Sequence, residues 1–253
     1  MFWAFLLVVV TYVLVPLVRP IFSIKLMQNH RGSLVPTALG LTFVFPTVLL
    51  IIMHGDNVSQ LFSLVLLVFC LLGLVDDLLG DGNQKGFRGH FGKARISTGT
   101  VKALGGISFS LALSFQLTGG WLESISNALL ISSAANFLNL LDLRPGRAGK
   151  GFLIFALPLL FLAPLIRNPL LWLAGAVLGY LPWDLQEEVM MGDTGSNALG
   201  ATLGLAVALC LPQAGKIVVL VVLLGLNFLA ERISFSRVIE NNRVLNFLDR
   251  LGR

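Results

Sequence analysis

From Phe2 to Val18 the chain carries no charged side chain, and runs of the same kind recur to its end: residues 37–53, 60–75, 101–118, 124–141, 152–166, 169–183, 198–212 and 215–230, where the only charges are Lys102 and Lys216 near their starts. A hydrocarbon core about 30 Å thick takes roughly 20 helical residues to cross, and somewhat fewer where a span is thin or buried in a bundle. The runs predict an all-α polytopic membrane protein, a bundle of about nine transmembrane helices. Hydrophobic residues make up 56% of the chain and charged ones only 12%, which excludes an ordinary soluble domain. The first run has no Lys or Arg before it and no small-residue cleavage site after it, so it is expected to stay as an uncleaved anchor. With no internal repeat and no low-complexity tract, residues 1–253 are expected to form a single integral membrane domain.

Charge sets the expected topology. If the spans alternate, the segments after the first, third, fifth, seventh and ninth share a face. Apart from Lys102, Arg167 and Lys216 these segments hold every Lys and Arg, and apart from Asp56 and Glu123 every acidic residue. The positive-inside rule makes that face cytoplasmic and leaves the N-terminus outside. No predicted span carries a charge at its centre, which argues against a transport path through the bilayer. The pattern suits an enzyme whose soluble substrate arrives from the cytosol and whose other substrate is dissolved in the membrane. No nucleic acid partner is expected. Cys70 and Cys210 fall inside predicted spans and indicate neither a disulfide framework nor a metal cluster, and His30, His54 and His90 are too scattered to be assigned as ligands.

The carboxylates of the predicted cytoplasmic segments sit at the ends of apolar runs, where an ionised group needs a cation, a partner or water. Asp76 and Asp77 close the third run. Neighbours on a helix point about 100° apart, so the pair is expected to play two roles, one toward a metal and one toward a proton. Carboxylates are also the wrong sign for a helix C-terminus. Lys102, one turn into the fourth run, is placed to balance them. The intervening loop, residues 81–99, holds Lys85, Arg88, His90, Lys93 and Arg95 among glycines. It suits phosphate oxygens, and a solvated positive-inside loop accounts for it equally.

Asn136, Asn139 and Asp142 follow at i, i+3 and i+6, along one helical face that drifts about 120° from first to last. Packing against a neighbouring helix is the other reading for Asn136. Beyond them, residues 144–151 offer cations on a glycine-rich backbone, though Gly149-Lys150-Gly151 is too short for a Walker A loop. In Met190-Met-Gly-Asp-Thr-Gly-Ser-Asn197, glycines flank Asp193, and Thr194, Ser196 and Asn197 follow at a predicted helix start. That places a carboxylate and several donors where a metal ion with a bound diphosphate is favoured, while simple capping by Asp193 or Ser196 is the plainer alternative. Residues 231–253 carry Ile233, Phe235, Val238, Ile239, Val244, Leu245, Phe247, Leu248 and Leu251 among polar groups, the pattern of an amphipathic cytoplasmic tail of one or two helices, basic enough to meet anionic lipid.

On these motifs the chain resembles the polyprenyl-phosphate N-acetylhexosamine-1-phosphate transferase superfamily, glycosyltransferase family 4. Val35-Pro-Thr-Ala-Leu-Gly40 resembles the family's first loop, Asp76-Asp77 its aspartate pair, Lys102 the lysine that opens its fourth helix, Asn136, Asn139 and Asp142 its Asn-x-x-Asn-x-x-Asp motif, and Met191 to Ser196 its Met-Gly-Asp-x-Gly-Ser motif. The resemblance implies Mg²⁺, with Mn²⁺ as a substitute, often a homodimer, a bacterial cytoplasmic membrane, and transfer of a sugar-1-phosphate from a UDP-sugar to polyprenyl phosphate with release of UMP for cell-envelope polymer synthesis. In that scheme Asp193 holds the metal with help from Asp77. Asp76, Asp77, Asp142 and Lys102 are the catalytic candidates. Asn136, Asn139, Asp184, Thr194, Ser196, Asn197 and Arg232 are the substrate-binding ones.

The departures are specific. Leu143 and Pro145 stand where the family continues with Gly and a second Asp, Asp184 stands where an Asn often precedes the Met-Gly-Asp motif, and no histidine follows His90 although the family carries a histidine cluster in its last loop. Arg232, Arg237 and Arg243 are candidates to meet phosphate in its place. These losses support an alternative, a catalytically inactive member that binds polyprenyl phosphate or nucleotide in a regulatory role.

Overall fold

The computed structural model describes residues 1–80 and 98–253. The expected basic loop residues Lys85, Arg88, His90, Lys93 and Arg95 lie outside the described residues. The elements in chain order are α1 (Phe2–Phe22), β1 (Leu26–Gln28), β2 (Leu34–Pro36), α2 (Leu41–His54), α3 (Asn57–Leu79), α4 (Thr98–Leu117), α5 (Trp121–Leu141), α6 (Arg147–Leu162), α7 (Pro164–Leu185), α8 (Gly192–Cys210), α9 (Gln213–Ala230), α10 (Phe235–Asn241) and α11 (Arg243–Arg250). Among the described residues α1, α3, α4, α5 and α9 are long and apolar enough to cross a membrane, and α2 is a shorter apolar helix. The protein is thus a helical membrane protein with several candidate spans.

Helix α8 is the axis of the bundle. It packs on α2, α3, α5 and α6, and nearly every side chain from Gly192 to Ala208 is buried. Its sequence explains this: Gly200 and Gly204, one turn apart, leave no Cβ between the backbone of α8 and that of α5 at Ala134, Ala135 and Ile131. Small residues at such spacing let helix backbones meet closely, which is what drives association where lipid is as apolar as leucine. The same device joins α7 to α1, where Gly175 and Gly179 rest on the carbonyls of Ala4 and Val8. Helix α9 lies on the rim against α5, with only Lys216 and Leu220 buried. Its ends show that it runs parallel to α5: Lys216 pairs with Glu123 at 2.6 Å and Gln213 donates to Ser126 at 3.0 Å, while Asn227 donates to the Ser133 carbonyl at 3.0 Å.

The connector after the first helix departs from the all-α expectation. Strands β1 and β2 form an antiparallel hairpin in the register Leu26↔Pro36, Met27↔Val35 and Gln28↔Leu34. Asn29 shapes its turn by accepting from the backbone N–H groups of Arg31 and Ser33, the Asx geometry that makes asparagine a turn residue. The second expected run, which began at residue 37, starts as a helix only at Leu41, because residues 36–40 pair with another segment: Met190 donates to the Pro36 carbonyl, and Leu39 and Gly40 donate to Met190 and Met191. That pairing seats the chain just before α8. Gly40 has no side chain for a steric reason, since a Cβ there would collide with the backbone of Gly195.

Residues 144–151, expected as flexible backbone, instead turn at Gly146 (φ 72°) and form the start of α6, with Arg147 buried. The partner of Arg147 comes from the tail: its guanidinium binds Asp249 in fork fashion at 2.8 and 3.2 Å and reaches Ser236 at 3.0 Å. Lys150 donates to the carbonyls of Leu248, Asp249 and Leu251, a cation at a helix C-terminus, and Arg253 returns to the Pro145 carbonyl and to Asp249. Helices α10 and α11 are therefore clamped over the loop that leaves α5.

Candidate active site

The site begins with one glycine. A Cβ on Gly73 would overlap the backbone of Asp193 and Thr194, so its absence lets α3 touch the first turn of α8. One turn further along α3, on the same face, Asp77 meets the N–H groups that this helix start leaves without intrahelical partners. Its Oδ1 accepts from the N–H of Asp193 at 3.0 Å, and its Oδ2 from the N–H and hydroxyl of Thr194 at 2.9 and 2.6 Å. Gly192 completes the fit with φ +67° and no Cβ, where one would strike the Asp77 carboxylate and the Thr37 hydroxyl. Helix α8 accordingly begins at Gly192, six residues before the expected run, and Asp193 stands in its first turn.

Asp76 points elsewhere. Lys102 of α4 sends its ammonium to the Asp76 carboxylate at 2.9 Å and also to that of Asp193, bridging α3 and α8. Asp76 takes a further hydrogen bond from Thr98, and its carboxyl group lies within hydrogen-bonding reach of that of Asp193. The three side chains are each about a fifth to a quarter exposed, mostly buried but still reached by water. From α5, Asn139 donates to Asp193 at 3.3 Å, and its carbonyl oxygen lies 3.1 Å from the Ser196 hydroxyl, which also lies 2.9 Å from the Gly192 carbonyl. Asn197 donates to the Asp193 carbonyl at 2.7 Å, one turn back along the same helix.

Asp76, Asp77, Lys102, Asn139, Asp193, Thr194, Ser196 and Asn197 thus form one connected cluster. Asn136 does not join it. The six-residue drift of the motif turns it outward, where it donates to Asn227 of α9 at 3.2 Å, the packing role open to a span asparagine. Asp142 caps the C-terminal end of α5 beside the cluster and lines a cavity of about 30 Å³ with His30, Arg144, Asp184, Glu187 and Met190, room for a water molecule. Burial, with the charges of Asp184, Asp193 and Asp77 added to it, pushes the Asp142 carboxyl well above the usual range. Asp184 spends one oxygen on the N–H of Gly146 at 2.9 Å, holding the turn into α6. Arg232 lies past the end of α9 with its guanidinium 4.8 Å from the Phe228 ring centroid, and among the described residues no hydrogen bond ties it to the cluster.

Chemically, two carboxylates share one ammonium at a helix start. Oxygen donors of this kind fit a hard divalent cation such as Mg²⁺, which takes one or two carboxylates and fills its remaining positions with water and substrate phosphate. Among the described residues no group of three His, Cys, Asp or Glu side chains gathers for a metal, so a fully protein-made cage is not what this site offers. The candidates for the cation are Asp193 and Asp76, whose charge Lys102 balances here. Asp77, with both oxygens already accepting, faces the α8 backbone instead. The positions that sequence patterns passed over are Gly73, Gly192 and Arg147, and the one visible signal was the four-residue spacing from Gly73 to Asp77.

The model of glycosyl transferase family 4 matches residues 59–211, from the start of α3 to just past α8, a stretch that contains every member of the cluster. Curated relatives include three proteins named phospho-N-acetylmuramoyl-pentapeptide-transferase. That of Campylobacter lari is 25% identical over 90% of this chain and 74% of the relative. That of Thermotoga neapolitana is 29% identical over 67% and 58%. That of Staphylococcus aureus is 27% identical over 92% and 81%. With more than half of its length matched, the chain belongs to glycosyl transferase family 4.

Proposed function

We propose that the protein transfers a sugar-1-phosphate from a UDP-sugar, of the UDP-N-acetylhexosamine type, to a polyprenyl phosphate, releasing UMP, at the cytoplasmic face of a bacterial membrane. The observation that carries this reading is the bridge from Lys102 to Asp76 and Asp193 at the N-terminus of α8, inside the stretch that matches the family. The relatives are named as transferases of a phospho-sugar peptide, which supports the same class of reaction. The nine apolar runs and the positive-inside rule support an N-terminus outside and a single domain open to the cytosol.

In this mechanism a phosphate oxygen of the lipid attacks the sugar-bearing phosphorus of the donor, the bond to the bridging oxygen breaks, and UMP leaves. Asp193 and Asp76 would hold Mg²⁺, which supplies charge neutralisation at the diphosphate. Lys102 adds a positive charge where charge accumulates on the phosphoryl oxygens. Asp77 keeps Asp193 in place by fixing the first turn of α8. Asn139 holds the Asp193 carboxylate, and Ser196 holds Asn139 in turn, orienting the carboxylate. Asp142, which keeps its proton to higher pH than a solvated carboxyl, would offer its O–H to the nucleotide or to a water that bridges to it.

The test is UMP release by the purified protein with undecaprenyl phosphate, Mg²⁺ and a panel of UDP-sugars, beside Asp193→Asn. Release with one donor, lost in the variant, supports the reading. Absence of release with every donor, from protein that binds the lipid, would favour the binding-only alternative. One observation favours that alternative: Pro145 and Arg147 occupy the stretch after Asp142 and are committed to the tail.

A further inference from the structure

Helix α11 has two unlike faces. Asp249 points inward to Arg147, and Lys150 caps the C-terminal carbonyls. At about 100° per residue, Val244 and Phe247 lie roughly 140–160° around the helix from Asp249, with Leu251 in line beyond them. These three are 67%, 66% and 53% exposed, so the most apolar face of the tail is the one turned away from the protein. Arg243 and Arg250 line one edge of that face, and Arg237 is exposed on α10.

The height of this face within the molecule is set by its neighbours. The tail follows α9 directly, and α9 runs parallel to α5, so both helices end at the level of the carboxylate cluster. Phe235, the first residue of α10, packs its ring 6.4 Å from that of Phe137 near the end of α5, and Arg144 pairs with Glu240 at 3.0 Å. A segment held at the ends of candidate membrane spans, apolar on its outer face and bordered by arginines, matches the chemistry of an anionic lipid surface: chains for Val244, Phe247 and Leu251, headgroup phosphates for the guanidinium groups.

We propose that α10 and α11 form a membrane-seated brace, its outer face sunk into an anionic leaflet and its inner face, through Asp249, clamped to Arg147, so that the lipid surface fixes the depth of the segment carrying Asp142. The assignment of the occupant rests on the continuity of the tail with α9 and on charge complementarity, and it stands whether or not the protein turns over the proposed substrates.

The experiment uses the full chain with Cys70 and Cys210 replaced by Ala and a single environment-sensitive fluorophore attached at Phe247→Cys, or at Val244→Cys where the first variant folds poorly. The protein is reconstituted in vesicles containing phosphatidylglycerol. Severalfold stronger quenching by lipid chains bearing a spin label than by aqueous iodide is the expected result. Quenching by iodide alone would mean that the face stands in water, and protection from both would mean that a protein surface covers it; either overturns the proposal. Melting of each variant against the cysteine-free parent shows that the fold is retained.

Discussion

Asp77 and Thr194 are joined twice, through the backbone N–H at 2.9 Å and the hydroxyl at 2.6 Å, so a carboxylate on α3 does for α8 what a capping residue normally does from within its own helix. Asp77→Asn puts an amide donor against these donors. A buried donor left without a partner costs about 1–3 kcal/mol. The variant is expected to melt earlier in detergent and to lose UMP release. Asp193→Asn keeps the cap and is expected to lose UMP release while melting near the parent. Thermal unfolding followed beside turnover separates the two, and equal melting for both would refute the capping role.

Lys102 occupies the carboxylates that the proposed cation needs. Removing its charge in Lys102→Met is expected to tighten Mn²⁺ binding by the protein alone, read from the metal's paramagnetic resonance signal, because the competing ammonium is gone. Turnover is expected to fall by roughly 10²-fold or more, as for loss of a charge that stabilises a transition state. Weaker metal binding in the variant would remove Asp76 and Asp193 as the cation's holders.

Ala38 is fully buried with φ +65°, a left-handed conformation that side chains other than glycine seldom adopt. Ala38→Gly relieves this strain and is expected to raise stability by about 0.5–1 kcal/mol, seen as a higher melting temperature. An unchanged or lower value would mean that the Ala38 methyl group contributes more through packing than the backbone loses through strain.

The tail clamp carries a pH dependence. Burial opposes ionisation of Asp249, but the hydrogen bonds and charge of Arg147, with Arg253 and Lys150, outweigh it and hold the carboxyl below the usual range. A carboxyl depressed in the folded state contributes stability that is fully present above its unfolded value of about 3.9 and is lost as pH falls through the folded one. Protection from hydrogen exchange in residues 243–253, taken relative to the intrinsic rate at each pH, is expected to hold at neutral pH and to fall only under acid conditions below that value. In Asp249→Asn the protection is expected to be lost at neutral pH as well, since breaking a buried pair costs about 3–5 kcal/mol.

Much of this was legible in the sequence because membrane segments are written in runs of single side-chain types. The divergence of Asp76 and Asp77 followed from helix geometry alone, whereas Asn136, expected to bind substrate beside Asn139, is turned out to α9 by the drift along the motif. The glycines and donors around Asp193 announced the start of α8, but the residue that caps it did not show, since Asp77 lies 116 residues away in the chain. The hairpin β1–β2 escaped because three-residue strands carry too little alternation to recognise. Arg147 read as a flexible cation because its partner, 102 residues on, is one aspartate in a polar tail.

The central place of α8 governs how the molecule is made. The chain enters a membrane from its N-terminus, so α3, α4 and α5 arrive with Asp76, Asp77, Lys102 and Asn139 before there is any α8 for them to grasp. Until residues 192–210 follow, Gly73 of α3 and the Ala134–Ala135 face of α5 have no α8 backbone to close against. The carboxylate cluster therefore closes only when α8 takes its place among α2, α3, α5 and α6, all of which precede it in the chain.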